Sequence, residues 1–242
     1  MNVLKNKKKP GRTCKLSVEE QVLITVQYWR EYRPYFQIGV DWDVSESTVC
    51  RTVHKVENIL IKSKKLAVPG QKELRKLADP EMVLVIDVME SPIERPSKGQ
   101  KGFYSGKNKQ HALKTQVIIE LKTRKIMCLR HGKGRIHDFK LFKKTKVKLT
   151  KEIKMLADKG YQGILKIHEN SATPIKKPKG GKLTKEQKRS NRELNRLRVA
   201  VEHVNRQLKI FKILSYPYRN RHQKFGLRAN LIAGIYNYEL AV

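Results

Sequence analysis

The sequence predicts an α/β protein, a mixed β-sheet flanked by helices, behind an N-terminal all-α region. Three observations carry this. Residues 16–66 read as helical. Residues 82–176 alternate short apolar runs with Gly and Pro, the punctuation of strands and turns. Residues 183–242 return to a helical period. The 242 residues are 39% hydrophobic, enough to bury a substantial core. No internal repeat is visible.

The partition follows from these shifts. Residues 1–15, with Pro10-Gly11 and the lysines of 5–9, read as a basic arm. In 16–66, Ser17 precedes Glu19 and Glu20, a helix cap with acids in the first turn. A short apolar helix ends near Gly39, a turn follows, and a second helix starts at Ser45. This is the order of a helix-turn-helix. That second helix presents Ser47, Thr48 and Arg51 and buries Val49 and Val53. Small polar residues and an arginine near a helix N-terminus suit a DNA major groove. Residues 80–242 form the remaining domain.

Within it, Met82–Ile86 is an apolar run ending in Asp87, as in a strand buried on both faces. Residues 111–120 and 123–131 pair as a hairpin, and 136–145 read as a helix. Residues 153–157 form a second apolar run ending in an aspartate, Asp158, before the turn Lys159-Gly160. Pro174-Ile175-Lys176 reads as a short last strand. The helix from Thr184 to Leu214 places Leu194, Leu197, Val201, Val204, Leu208 and Phe211 on one apolar face. Arg198, Glu202, Asn205, Arg206 and Lys209 fall on an adjoining polar face.

Charge narrows the function. Lys and Arg number 54 against 22 Asp and Glu, a formal net charge of +32. Such self-repulsion destabilises a compact state unless a polyanion is at hand, and nucleic acid is the polyanion that rewards it. The three cysteines are unpaired in spacing and fit a reducing cytosol. No apolar run approaches the ~18 residues of a membrane span. Cys128, His131 and His137 lack a fourth partner and do not make a zinc site.

Asp87 and Asp158 each end an apolar strand, and central strands of one sheet can set two such residues side by side. Glu202, on a helix across that sheet end, supplies a third carboxylate. Three oxygen-only ligands suit Mg²⁺ with room for phosphate and water. On pattern alone other readings stay open: Asp87 paired with an arginine, Asp158 an ordinary turn residue, and Glu202 in surface pairs with Arg198 and Arg206.

The motifs 87–93 (DVMESPI), 104–107 (YSGK), His111, Lys114, 137–139 (HDF), 157–163 (ADKGYQG), Asn191, 198–203 (RVAVEH), Lys209 and 218–221 (YRNR) stand in order. Taken together, the chain resembles insertion-sequence transposases of the DDE superfamily, in particular the insertion-sequence-five-like group, from about Gly11 to Asn237. The resemblance implies a ribonuclease-H-like core behind the helix-turn-helix, with the catalytic and metal-binding carboxylates falling on Asp87, Asp158 and Glu202. It implies Mg²⁺ as cofactor, with Mn²⁺ as substitute, and Arg198 and Lys209 as holders of DNA phosphates. Apart from the resemblance, Asp138 could be a fourth acid near the metals but is better read in a supporting role, holding a lysine or capping its helix, and Glu90 likewise. The implied partners are double-stranded DNA, as terminal inverted repeats and target, and a second copy of the chain in a synaptic dimer. The implied place is the prokaryotic cytoplasm, at the nucleoid. Asn195 stands where related groups carry Tyr, and Met89 where they often carry Thr; neither is a metal ligand. Family members often have further N-terminal residues, so a shortened copy is one reading of this chain. Two other functions compete: a DNA-binding, catalytically inert remnant or repressor, and a nuclease that cuts without joining.

Overall fold

A computed structural model describes residues 14–147 and 149–241. The expected basic arm lies outside them, apart from residues 14 and 15. By packing, these residues form two compact units, one of 14–67 with 208–241 and one of 68–207. The units follow packing and cut the chain elsewhere than the functional partition at residue 80.

In the first unit, α1 (Val18–Glu31) opens with a capping box. Ser17 Oγ accepts from the Glu20 amide at 3.1 Å, and the Glu20 carboxylate accepts from the Ser17 amide at 2.6 Å. Its buried residues include Ile24, Tyr28 and Trp29. α2 (Tyr35–Asp41) and α3 (Glu46–Ser63) complete the helix-turn-helix. Ser45 caps α3 by accepting from the Thr48 amide at 3.3 Å. The tight turn needs Gly39: a Cβ there would stand 2.5 Å from the Val44 carbonyl oxygen. From the end of the chain come α8 (Lys212–Ser215) and α9 (Phe225–Glu239), and α9 packs against α3.

Glu57 on α3 and Arg228 on α9 are both fully buried and pair at 2.6 Å. Trp29 Nε1 and Lys224 Nζ also donate to the Glu57 carboxylate, at 3.2 and 3.4 Å. A buried carboxylate is tolerated only when charge and hydrogen bonds compensate it, and here three donors do so.

The second unit is a mixed sheet with helices. It contains α4 (Gly70–Leu74), β1 (Val83–Pro92), α5 (Gln100–Phe103), β2 (Tyr104–Ser105), β3 (Gln110–Glu120) and β4 (Ile126–Lys133). There follow α6 (Asp138–Thr145), β5 (Lys154–Leu156), β6 (Ser171–Ala172) and α7 (Lys185–Lys209), all but the last two residues of which belong here. The sheet runs β4-β3-β1-β5-β6, with β2 added to the start of β3. β3 runs antiparallel to both of its neighbours, β1 and β4, whereas β5 and β6 run parallel to β1. This is the ribonuclease-H-like arrangement, a mixed sheet with helices about it. One face of β1 places Leu84 and Ile86 in a core with Ile118, Phe142, Met155, Tyr161 and Ile164.

Three details differ from the sequence reading. Asp87 does not end its strand; β1 continues to Pro92 because β3 pairs with it along that length. The last strand is Ser171–Ala172, which pairs with Met155 and Leu156, rather than 174–176. The long helix stops at Lys209, and its buried face is rotated from the one expected. Leu197 is 46% exposed, while Asn191, Arg198 and Asn205 are buried with Val201, Val204 and Leu208.

Candidate active site

The register of the parallel pair builds the site. Val83, Leu84 and Val85 face Lys154, Met155 and Leu156. Carried two residues further, the same register sets Asp87 opposite Asp158, just past the end of β5. Asp158 precedes a 3-10 turn, Lys159–Tyr161, whose Tyr161 is buried among the core residues and so ties the turn down. Along β1 the side chains alternate, so Asp87 lies on the face opposite Leu84 and Ile86.

α7 delivers the rest. Asn191, Arg198 and Asn205 recur every seven residues on its buried side, and each has a polar reason to be there. Asn191 accepts from the Ile175 amide at 2.7 Å and donates to the Ile175 carbonyl at 3.0 Å. The Arg198 guanidinium lies 3.2 Å from Asp158 Oδ1 and 3.9 Å from Asp87 Oδ1. Asn205 Nδ2 donates to Asp87 Oδ2 at 2.9 Å. Glu202 sits one turn beyond Arg198 and is exposed. Arg198 thus turns to the two aspartates and not to Glu202.

Burial is the main reason the Asp87 carboxyl is pushed up to about 6; the negative charges of Asp158 and Glu202 push the same way. The Val88 amide and Arg198 oppose the rise without cancelling it. Three buried polar atoms around the acids lack a hydrogen-bond partner: the Tyr161 hydroxyl, Arg198 Nε and Asn205 Oδ1. Burial raises Tyr161 well above the ordinary tyrosine value, aided by Asp138, Asp87 and Asp158.

On the other face of the sheet, Glu90 and Lys114 are register partners on β1 and β3. The Lys114 ammonium lies 2.8 Å from Asp138 Oδ1 at the start of α6 and 3.5 Å from Glu90 Oε1. Asn108 Nδ2 donates to Glu90 Oε2 at 2.8 Å. Glu90, Lys114 and Asp138 form one cluster.

Residues 86–237 match the family model described as DDE superfamily endonuclease. Residues 14–65 match the helix-turn-helix of DDE superfamily endonuclease. The chain is 67% identical over 238 residues to a protein of Microchaete diplosiphon described as a probable transposase for insertion sequence element IS702, covering 98% of this chain and 86% of that one.

The chain belongs to the DDE endonuclease superfamily of insertion-sequence transposases.

DDE endonucleases depend on a divalent metal, and the donor set here fits one. Asp87, Asp158 and Glu202 offer only hard oxygen ligands. Asp87 is half-buried and its carboxyl is raised by that burial and by Asp158 and Glu202, so positive charge placed beside it favours its ionised form. Among the described residues no three acidic, His or Cys side chains stand together closely enough to hold a metal ion as they are; the charge between the two aspartates is that of Arg198.

Of the other residues singled out in the sequence, Ser47 and Arg51 are exposed on α3, with Arg51 donating to Ser47 Oγ at 3.3 Å, and Thr48 is partly exposed. Lys209, the exposed last residue of α7, falls in the first unit. Sequence reasoning missed Asn205 as a partner of Asp87; it expected Asp138 and Glu90 to hold a lysine without naming Lys114. The only signal for the first was the seven-residue repeat Asn191, Arg198, Asn205. Among the described residues no helix is long and apolar enough to cross a membrane.

Proposed function

We propose that this DDE endonuclease is a DNA transposase that binds the terminal inverted repeats of an insertion sequence, cleaves at the element ends and transfers the freed strand to target DNA. The observation that supports this reading is the Arg198 guanidinium lying 3.2 Å from Asp158 and 3.9 Å from Asp87, with Glu202 one turn along the same helix. Asp87, Asp158 and Glu202 would hold Mg²⁺, for which Mn²⁺ would substitute. The metal supplies charge stabilisation for phosphodiester displacement and acidifies the attacking water or 3′-hydroxyl.

The chain's own residues set the stage for that displacement. Asn205 fixes the rotamer of Asp87 through its amide. Arg198, held within α7, contributes positive charge where a scissile phosphate approaches, and Lys209 holds a further phosphate. Glu90 and Asp138 support the sheet end by fixing Lys114. Ser47, Thr48 and Arg51 read bases in the major groove. A homodimer brings two ends together, and the protein works in the prokaryotic cytoplasm, at the nucleoid.

The test is a plasmid carrying the element's own ends, incubated with the protein and Mg²⁺ or Mn²⁺. Wild-type protein is expected to break the DNA at the ends and join them to a supercoiled target. Asp87→Asn, Asp158→Asn and Glu202→Gln are expected to bind the ends without cleaving. Cleavage by Asp158→Asn at the wild-type rate would overturn the assignment. Cleavage without joining would make the protein a nuclease.

A further inference from the structure

The turn that joins α8 to α9 lies against the helix-turn-helix and carries a basic cavity that the base-reading residues do not account for. The cavity, about 310 Å³, is lined by His54 of α3 and by Arg219, Arg221, Lys224 and Arg228. Among the described residues, the one carboxylate that any of these four cations pairs with is Glu57. The cavity therefore keeps a clear excess of positive charge. His54 registers it: burial first, then Lys224 and Arg228, hold its pKa below the ordinary histidine value.

The turn is built rather than loose. The Arg219 guanidinium stacks over the Tyr32 ring at 4.4 Å and donates to the Tyr32 carbonyl. The Arg219 amide donates to the Tyr32 hydroxyl at 2.7 Å, and Asn220 Nδ2 to the Tyr28 hydroxyl at 3.0 Å. Tyr218 closes the turn by donating to the Gln223 carbonyl at 2.6 Å. Within this frame Arg221, His222 and Lys224 adopt positive φ of 44°, 56° and 57°. Such backbone persists only where its surroundings enforce it, and it occurs preferentially at binding sites. Arg221 is exposed and has no hydrogen-bond or ion-pair partner among the described residues.

The position of the cavity follows from α3. Ser47, Arg51 and His54 are spaced i, i+4 and i+7, one stripe along a helix. The base-reading end of that stripe leads directly to the wall of the basic cavity. A helix in a major groove has phosphates beside it, and cations that flank its reading residues are placed for the backbone.

We propose that this cavity seats a backbone phosphate of the duplex read by α3, with Arg221 as its ligand, so that the end of the chain completes the DNA-binding head. The proposal rests on the reading of α3 as the DNA-reading helix. A phosphate contact fixes register and orientation without sequence preference, and its loss lowers the salt dependence of binding by about one counterion.

The test measures binding of the full chain to a duplex of the element end and to a scrambled duplex, by fluorescence anisotropy across a KCl series. Wild type, Arg221→Ala, Arg221→Gln and Arg51→Ala are compared. Both Arg221 variants are expected to weaken binding to the two duplexes by the same factor. The slope of log K against log salt should fall by about one. Arg51→Ala is expected to lose preference for the element end. An unchanged slope in both Arg221 variants overturns the phosphate seat. So does a loss confined to the element end. If Arg51→Ala loses preference while both Arg221 variants match wild type, the cavity proposal alone fails. If wild type shows no preference for the end and Arg51→Ala changes nothing, the reading of α3 fails with it.

Discussion

Asn205 donates to Asp87 at 2.9 Å across 118 positions of sequence. It is the link through which α7 orients a carboxylate on the central strand. A hydrogen bond to a charged group contributes about 1.5–3 kcal/mol, and its loss leaves Asp87 free to turn. Asn205→Leu is therefore expected to slow end cleavage by about tenfold or more while the Kd for end DNA stays at the wild-type value. Single-turnover cleavage and anisotropy measure the two. Equal cleavage rates in variant and wild type would remove Asn205 from the site.

The Asp87 carboxyl is raised from 3.8 to about 6 on folding. A raised carboxyl pKa means that the folded state holds the proton more tightly than the unfolded chain. Its favourable contribution is complete below about pH 4 and is lost as pH climbs through about 6. In metal-free buffer, Asp87→Asn should therefore gain Tm relative to wild type between pH 4 and pH 7, by on the order of 2–3 kcal/mol in stability. Adding Mg²⁺ or Mn²⁺ at pH 7 should raise the Tm of wild type and not of the variant. Parallel Tm curves for the two proteins across that range would contradict the shift.

Glu57 and Arg228 form a second buried dependency. Arg228→Met leaves the buried Glu57 carboxylate with only Trp29 and Lys224 as donors, which costs up to about 3–5 kcal/mol. Glu57→Leu combined with Arg228→Met should recover much of that, because the desolvated charge goes with its partner. Urea denaturation of the two single variants and the double variant checks this. A double variant less stable than Arg228→Met would show that the pair itself, and not the stranded charge, sets the stability.

Gly39 holds the helix-turn-helix closed. A Cβ 2.5 Å from the Val44 carbonyl oxygen forces α2 away from the turn that leads into α3. Gly39→Ala is expected to lower stability by about 1–3 kcal/mol and to abolish preference for element-end DNA, read by thermal melting and anisotropy. Wild-type preference with wild-type Tm would mean that the turn yields without consequence.

Local chemistry made much of the architecture legible. Ser17 with Glu20, and Ser45 with Thr48, are caps that act within one helical turn, so residue spacing alone exposes them. The hairpin of β3 and β4 and the apolar runs of β1 and β5 are likewise local patterns. The end of β1 was not legible, because a polar residue in an apolar run looks like a terminus. Asp87 continues the strand only because β3 supplies backbone partners as far as Pro92. β6 was misplaced because its two residues, Ser171 and Ala172, carry no apolar signal; only β5 makes them a strand.

The sequence by itself determined the charge, the helix-turn-helix, the main strands β1, β3, β4 and β5, the long helix α7, and the acidic residues at issue. Each follows from residue type and short-range spacing. Tertiary structure alone decided which face of α7 is buried. Apolar periodicity placed Leu197 inside and Arg198 and Asn205 outside, and the reverse holds. Polar side chains enter an interior where partners await them, and those partners, Asp87 and Asp158, come from strands far away in sequence. Tertiary structure alone also joined 208–241 to the N-terminal helices, through a buried ion pair whose halves lie 171 residues apart. Local spacing carries no record of such a meeting, because the energy that fixes it exists only once both partners have left water.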